Sequence, residues 1–341
     1  MVGSSLMRLL QKKGYTNIVT RPHSGLDLTR QLEVEKFFQK EKPEYVFLAA
    51  AKVGGILAND TYKAEFIYDN IMIAGNIIHS SYKYGVKKLL NLGSSCIYPK
   101  LASQPIKEES VMDGRLEPTN EPYAIAKISA LKLCRYYNEQ YGTNYISVMP
   151  TNLYGYNDNF NLETAHVFPA FIRKFHLAKL LKNNDIKGIR VDIQRYPLGF
   201  QFNNIKILEN VESIKKSLKK LGITKDYVTL WGTGEAYREF LHVDDLADAC
   251  VYLMKNCKYK DVGEIINIGI GEDLKVKELA EIVKEIVGFK GEIRHDFSKP
   301  EGTPRKLLDV SKAKSLGWEA KISLREGIRK TYDWYCNVQH E

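Results

Sequence analysis

The clearest indication of the fold is KLLNLGSSCIY, residues 88–98, in which an apolar run ends in hydroxyl and thiol side chains. A short apolar run of this kind is typical of a buried parallel strand. Ligands of open α/β sheets bind at the carboxyl ends of the strands, which is where Ser94, Ser95 and Cys96 follow Leu92. The sequence therefore predicts a binding edge directly after this strand.

A second stretch, YAIAK at residues 123–127, opens a predicted helix that runs to about Tyr141. Tyr123 and Lys127 are four residues apart and share one helix face. A lysine ammonium beside a phenol lowers the phenol pKa from about 10. Such a phenol, opposite the Ser94 hydroxyl, can exchange a proton with a carbonyl or alcohol oxygen while hydride moves at carbon. Because the chain has 21 tyrosines, a chance spacing with one exposed lysine stays open at this point.

Composition limits the class of protein. The chain has 341 residues, 44% of them hydrophobic, which suffices for one large α/β domain plus a smaller lobe. No apolar run approaches the ~18 residues that cross a bilayer, so we expect no membrane partner, and the opening residues lack a signal-peptide layout. Five cysteines without CxxC spacing indicate neither a disulfide framework nor a metal site, and they favour the reducing cytoplasm.

The net charge of +9 raises the question of nucleic-acid binding. The excess is unevenly distributed, since residues 181–226 hold ten Lys/Arg against five Asp/Glu. No recognition helix, zinc finger or aromatic RNA-binding motif accompanies this stretch. We therefore expect no nucleic-acid partner, and attribute the remaining charge to an anionic small substrate and an anionic cofactor.

Strand and helix patterns alternate along the first half of the chain, which predicts a doubly wound parallel sheet of the Rossmann-like α/β class. The predicted strands are Asn17–Thr20, Tyr45–Ala51, Val86–Leu92 and Tyr145–Met149, and the predicted helices are Ser4–Gly14, Thr61–Tyr84 and Ala124–Tyr141. The first strand and most of the glycine turn of such sheets are absent, with Val2 and Gly3 resembling the tail of that turn. We expect the recorded start to lie inside a longer reading frame.

Taken together, the motifs resemble the extended short-chain dehydrogenase/reductases and, within them, the GDP-L-fucose synthases. These enzymes are 3,5-epimerase-4-reductases of GDP-4-keto-6-deoxy-mannose. The resemblance covers nearly the whole chain except an insertion at about 181–226. The matching stretches are LAAAKVGGI (48–56), LGSSCIYPK (92–100), EPTNEPYAIAK (117–127), MPTNLYG (149–155), His166, REFLHVDD (238–245) and KPEGTPRKLLD (299–309).

The resemblance implies five catalytic residues. Ser94 polarises the sugar C4 carbonyl, Tyr123 protonates its oxygen, and Lys127 tunes Tyr123 and holds the nicotinamide ribose. Cys96 and His166 are implied as the base and the acid that invert C3 and C5, since a thiolate near cations can act as a base and histidine can act as an acid near neutral pH. A small buried thiol and a hydrogen-bonded polar histidine remain the alternatives.

The resemblance also implies NADP(H) as cofactor and a GDP-sugar as substrate. Independently, the predicted second strand ends at Arg21 without the acid that binds ribose hydroxyls in NAD-specific sheets, so Arg21 suits a 2′-phosphate; a surface arginine is the alternative. The expected cofactor-binding residues are Val2, Gly3, Arg21, Leu92, Gly93, Ser94, Ser95, Lys127, Pro150, Thr151, Asn152, Leu153 and His166. The expected substrate-binding residues are Lys174, Trp231, Arg238 and Glu301.

Two of these substrate contacts carry a specific expectation. Arg238 is implied to reach a phosphate of the nucleotide diphosphate. Lys174 stands where the family has an arginine, so the bidentate fork of that contact is lost although the charge is kept. We expect no bound metal.

The expected division is an NADP-binding domain at 1–160 plus about 239–257, and a substrate lobe at about 161–238 plus 258–341. Within the insertion, Val211–Leu221 predicts a basic amphipathic helix, which is either a lid or specificity element or a solvated surface segment. A homodimer is expected, because helices 61–84 and 124–141 resemble the pair that forms a four-helix interface in this superfamily.

Two other functions stay open on sequence alone. One is a C4 reductase of a related GDP-4-keto sugar, such as a heptose, without epimerisation. The other is a cofactor-free binding or scaffold protein, which only the missing glycine turn suggests.

Overall fold

The computed structural model describes residues 1–199, 202, 210–298 and 302–337. Thirteen helices lie within these ranges. They are α1 (Val2–Lys12), α2 (Gln31–Glu41), α3 (Ile56–Thr61), α4 (Lys63–Lys83), α5 (Glu121–Tyr141), α6 (Val167–Lys182), α7 (Ile186–Arg195), α8 (Val211–Lys220), α9 (Val243–Asn256), α10 (Tyr259–Val262), α11 (Val276–Val287), α12 (Ser311–Ser315) and α13 (Leu324–Asn337).

Eleven strands lie within the same ranges. They are β1 (Tyr45–Leu48), β2 (Lys88–Leu92), β3 (Tyr145–Pro150), β4 (Asn152–Tyr154), β5 (Tyr227–Trp231), β6 (Tyr237–Arg238), β7 (Phe240–His242), β8 (Ile266–Ile268), β9 (Leu274–Lys275), β10 (Glu292–Asp296) and β11 (Arg305–Lys306).

The central sheet has four parallel strands in the order β1-β2-β3-β8. Every residue of β2 and β3 is buried, which fits a parallel sheet covered on both faces. Side chains of α1 and α9 contribute to the apolar cluster on one face, and those of α2, α4 and α5 to the cluster on the other. The predicted doubly wound α/β architecture is confirmed.

The amino-terminal segment differs from the prediction in two ways. Asn17–Thr20 is not a strand, because in the described part of the chain no strand lies beside it to accept its backbone hydrogen bonds. Helix α1 begins at Val2, so Val2 and Gly3 belong to its first turn rather than to a loop before it.

A second apolar cluster surrounds α6, α11 and α13, with the two-stranded parallel sheet of β5 and β10 beside it. Helix α8 is part of this cluster, since its Ile214 and Leu218 are fully buried. The insertion helix at Val211–Lys220 is therefore packed against this cluster and is not a solvated surface segment. Its apolar stripe is held in the core.

Arg173 of α6 holds the first helix of the insertion, α7, in place. Its guanidinium is fully buried and pairs with the buried carboxylate of Asp192 on α7 at 2.9 Å. It also donates to the carbonyl oxygens of Phe160 and Pro197, each at 2.8 Å, and Tyr335 of α13 donates to Asp192. One buried cation thus joins α6, α7 and the carboxyl-terminal helix.

Three further observations concern partners and metals. Within the described ranges, no helix combines the length and the apolar character needed to span a bilayer. The same residues contain no cluster of three or more His, Cys, Asp and Glu side chains placed to bind a metal ion. All five cysteines are free thiols.

Candidate active site

The edge after β2 depends on Gly93. A Cβ at this position would lie 2.1 Å from the Met149 sulfur and 3.1 Å from the Val148 carbonyl oxygen, so a larger residue would displace the Met149 side chain. The Gly93 amide donates to the carbonyl oxygen of Val148 at 2.8 Å, which keeps the chain beside β3. The close approach delivers Ser94 to the carboxyl edge of the sheet, as predicted.

Ser94 opens a short 3-10 turn, Ser95–Ile97, that presents the thiol next to the hydroxyl. Its Oγ accepts a hydrogen bond from the backbone amide of Cys96 at 3.3 Å. The Ser94 hydroxyl also lies close enough to the Tyr123 phenol to lower the pKa of that phenol. Ser94, Cys96 and Tyr123 therefore meet at one point, although the third comes from another helix.

Helix α5 carries Tyr123 and Lys127 and has Pro122 in its first turn, where a proline costs no hydrogen bond. The Lys127 ammonium lies 5.7 Å from the centre of the Tyr123 ring. It donates to the carbonyl oxygen of Leu92 at 2.7 Å. This bond ties the helix to the end of β2, and it places the lysine below the phenol as the spacing predicts.

The electrostatics of this pair differ from the expectation for the phenol. Burial raises the pKa of Tyr123 above its usual value, the charge of Cys96 raises it further, and the Ser94 hydroxyl lowers it. Burial lowers the pKa of Lys127 to about 8. Tyr123 is therefore held in its protonated form, which suits a proton donor.

Cys96 is half-buried and has a cationic neighbour. The Lys306 ammonium lies 3.6 Å from the Cys96 sulfur, within hydrogen-bond distance. Both side chains line a cavity of about 20 Å³, which has room for about one water molecule. The thiol thus faces a small polar space instead of an apolar core, which argues against the purely hydrophobic alternative.

His166 immediately precedes α6, as its N-cap residue. Its side chain is exposed to solvent. Desolvation by the surrounding atoms lowers the pKa of His166, and the charge of Lys306 lowers it further. Lys306 therefore acts on both His166 and Cys96, and His166 favours its neutral form in this state.

The second predicted cofactor segment, Pro150–Leu153, begins at the last residue of β3 and lies beside the first. Two of its side chains bind the main-chain oxygen of Glu239, which accepts from the Asn152 carboxamide at 2.8 Å and from the Thr151 hydroxyl at 3.3 Å. The edges after β2 and β3 are thus adjacent, and the Leu92–Ser95 and Pro150–Leu153 segments come together as expected.

The remaining predicted cofactor contacts lie in the amino-terminal part of the chain. Arg21 pairs with Glu41 at 2.7 Å and donates to the carbonyl oxygen of Thr20 at 2.7 Å. Val2 and Gly3 lie in the first turn of α1, where unpaired backbone amides and the helix dipole favour an anion. An anion at Arg21 would have to compete with Glu41.

Of the predicted substrate contacts, Lys174 donates from α6 to the carbonyl oxygen of Thr229 at 2.9 Å, and burial lowers the pKa of Lys174 to about 8. Trp231 ends β5 and is 45% exposed. Arg238 is half-buried on β6. The fourth contact, Glu301, lies outside the described residues.

Two residues of this region were missed by the sequence reasoning. Glu239 is fully buried, and its carboxylate accepts the amides of Ile270 at 2.6 Å, Gly271 at 2.8 Å and Leu308 at 3.0 Å. Lys306 is the other. Both stand inside stretches that carry the family resemblance, so the signal was present, but sequence alone does not say which side chains of a stretch turn inward.

The comparisons with known proteins agree with this arrangement. The model of the NAD dependent epimerase/dehydratase family matches residues 1–191 and 200–269. GDP-L-fucose synthase 1 of Arabidopsis thaliana is 52% identical over 341 residues, which cover 99% of this chain and 92% of that protein.

Two solved structures are also similar over nearly their whole length. A GDP-6-OMe-4-keto-L-xylo-heptose reductase from C. jejuni has a TM-score of 0.91 and 43% identity, covering 99% of this chain and 95% of that one. The GDP-mannoheptose C4 reductase from Campylobacter jejuni with NADP bound has a TM-score of 0.83 and 42% identity, covering 98% and 95%. The chain belongs to the NAD dependent epimerase/dehydratase family.

Proposed function

We propose that the protein is an NADP(H)-dependent epimerase and reductase of a GDP-4-keto-6-deoxy sugar, of the GDP-4-keto-6-deoxy-mannose type, with GDP-L-fucose or a close analogue as product. The observation that carries this proposal is the meeting of Ser94, Tyr123 and Lys127 with Cys96 at one sheet edge. The first three suit reduction of a carbonyl. The thiol adds a base that a plain reductase does not need.

The residues at the edge fit a dinucleotide cofactor. Because Gly93 has no side chain, a cofactor can approach the backbone closely at this position. Lys127 uses one of its three N–H donors in the hydrogen bond to Leu92, and the others are left for a ribose. The similar C4 reductase holds NADP. When bound, the reduced cofactor supplies the hydride for the C4 carbon.

The protein's own residues polarise the carbonyl and supply the proton. The Ser94 hydroxyl donates to the C4 carbonyl oxygen and polarises it. Tyr123, kept protonated by burial, gives its proton to the oxygen as the carbonyl becomes an alcohol. The nearby Lys127 ammonium then stabilises the phenolate by charge attraction. A general acid of this kind typically contributes about 10²–10⁴-fold in rate.

Epimerisation precedes reduction, since the C4 ketone acidifies the neighbouring C–H bonds. The Cys96 thiolate takes the proton from C3 or C5, the C–H electron pair moves into an enolate at C4, and His166 returns a proton to the opposite face of the carbon. The lowered pKa of His166 is an obstacle to this role. The negative diphosphate of the substrate favours the imidazolium and counters the effect of Lys306.

A reductase of a GDP-4-keto heptose without epimerisation is the second candidate, favoured by the similarity to two C. jejuni heptose reductases. NADPH oxidation across a panel of GDP-4-keto sugars, followed by NMR of each product, separates the two. The first function gives a product inverted at C3 and C5. Retention at both carbons with every sugar would leave the C4 reductase.

We also propose a homodimer through α4 and α5, because these packed helices leave large side chains in solvent. Tyr68 is 59% exposed and Tyr136 is 52% exposed. A second copy that covers them would form a closed two-fold contact. Light scattering at micromolar concentration should give twice the chain mass, and Tyr68→Lys with Tyr136→Lys should give the monomer. A monomeric wild-type protein would refute the dimer.

Two coarser proposals complete the assignment. Cofactor binding would fall to residues 1–160 plus about 239–257, and substrate binding to about 161–238 plus 258–341, although Ile266–Ile268 of the second part forms β8 of the central sheet. The five free thiols fit a reducing compartment, and we propose the cytoplasm.

A further inference from the structure

We propose that Lys306 is a positioning residue that holds Cys96 as a thiolate and thereby prepares it to remove the sugar proton. The proposal deepens the proposed function and rests on it for the identity of the proton removed. The physical claim, that one lysine stabilises a thiolate, concerns only residues of this chain.

The geometry is a direct contact between elements 210 residues apart in sequence. Lys306 Nζ and Cys96 Sγ are 3.6 Å apart, with both side chains partly buried. An opposite charge at such a distance favours the ionised form of its neighbour. A thiolate is the form of cysteine that acts as a base or nucleophile, and cationic neighbours are what stabilise it.

Hydrogen bonds to the backbone after Lys306 hold the lysine in this position. Lys306 lies on β11, and its register partner on the neighbouring strand β6 is Arg238. Two positions further along, the Leu308 amide donates to the buried Glu239 carboxylate at 3.0 Å. The Gln104 carboxamide accepts from the Leu307 amide at 2.8 Å. Backbone on the carboxyl side of Lys306 is thus held by two side chains, so the lysine is aimed at the thiol.

Charges from several elements surround Cys96, and among the described residues Lys306 is the cation within hydrogen-bond distance of its sulfur. Charge on Cys96 raises the pKa of Tyr123 and of Lys127, so the thiol is electrostatically linked to the reduction pair. On the other side, the Lys100 ammonium is engaged by Glu117 at 2.7 Å. The titratable and charged groups that face this region are Tyr98, Lys100, Glu117, Tyr123, Lys127, His166, Arg305 and Lys306.

The position of Lys306 beside Arg238 in the sheet also suits a simpler role for the lysine. A lysine beside an arginine could bind the substrate diphosphate and leave the thiol unaffected. Loss of Lys306 would then weaken substrate binding without changing the ionisation of Cys96. The experiment must therefore read the thiol itself, in the absence of substrate.

The test is the rate of alkylation of Cys96 by iodoacetamide as a function of pH, followed by mass spectrometry of the peptide that contains it. The enzyme is used without substrate, and the peptide readout separates Cys96 from the other four thiols. Lys306→Met should lower the rate near pH 7 about 10-fold or more and move the profile to higher pH by about one unit or more, because the favourable charge is gone. Lys306→Arg should restore most of the rate.

Arg305→Met is the matched control. It removes one positive charge from the neighbouring residue of the same strand, but Arg305 is already paired with Asp273 at 2.6 Å, so the profile should stay that of the wild type. An unchanged profile in Lys306→Met would overturn the proposal, whether or not substrate binding weakens. A wild-type enzyme that inverts no sugar would instead refute the proposed function, while the alkylation result would stand.

Discussion

The Lys127 ammonium donates a 2.7 Å hydrogen bond to the carbonyl oxygen of Leu92, the last residue of β2. The bond joins the start of α5 to the strand end that delivers Ser94. It therefore helps to hold the Ser94 hydroxyl and the Tyr123 phenol, which come from separate elements, at one edge of the sheet. The reduction chemistry depends on this arrangement.

Tyr123→Phe removes only the phenol hydroxyl and should abolish reduction while the fold persists. General acids typically contribute about 10²–10⁴-fold, so NADPH oxidation should fall at least about 100-fold. Tyr15→Phe is the control, since this tyrosine is 50% exposed and lies outside the site. Retention of more than about a tenth of the wild-type turnover would exclude Tyr123 as the acid.

Reduction should weaken as the solution becomes alkaline. Burial lowers the pKa of Lys127 to about 8, so the lysine is charged below that pH and neutral above it. Because the charged form stabilises the phenolate, kcat should decline as the pH rises through about 8. Lys127→Arg keeps its charge and should shift the decline to higher pH. A decline that stays at the same pH in that variant would assign it to another group.

The buried Arg173 should matter for stability. Arg173→Met leaves the Asp192 carboxylate buried without its partner, and such losses cost about 3–5 kcal/mol in the free energy of unfolding. Urea denaturation measures it. Arg325→Met, which breaks an exposed pair with Glu285 at 3.0 Å, should cost less than about 1 kcal/mol. Equal effects of the two substitutions would contradict the structural role of the buried ion pair.

The insertion helix should behave as core. Ile214→Ala truncates a fully buried side chain and should lower the free energy of unfolding by about 2–5 kcal/mol. Lys215→Ala, at the neighbouring exposed position, is the control and should have little effect. If Ile214→Ala left stability unchanged and altered only substrate binding, α8 would be a lid after all.

The sequence predicted the parallel sheet well, because β2 and β3 are short apolar runs bounded by turn residues. It also predicted the Ser94, Tyr123 and Lys127 cluster, since the strand end and the helix spacing each point to one edge. Asn17–Thr20 was predicted wrongly. Its apolar pattern suits a strand, but a strand requires a neighbour, and local sequence does not contain that information.

The parts of the site that sequence could not predict depend on tertiary contacts. Lys306 reaches Cys96 across 210 residues, and neither residue's local pattern indicates the other. Burial of Tyr123 likewise outweighs the lysine effect expected from the i, i+4 spacing. Arg21 suited a phosphate on sequence grounds, whereas in the fold Glu41 lies close enough to pair with it.

The most direct test of the account follows deuterium from solvent into the sugar. Wild-type enzyme turning over GDP-4-keto-6-deoxy-mannose with NADPH in D₂O should give a product with deuterium at C3 and C5, detected by NMR. Cys96→Ser should reduce this incorporation by about 10²–10⁴-fold, yet reduce an already inverted ketone at nearly the wild-type rate. A wild-type product without deuterium at either carbon would contradict the epimerase assignment and leave a C4 reductase.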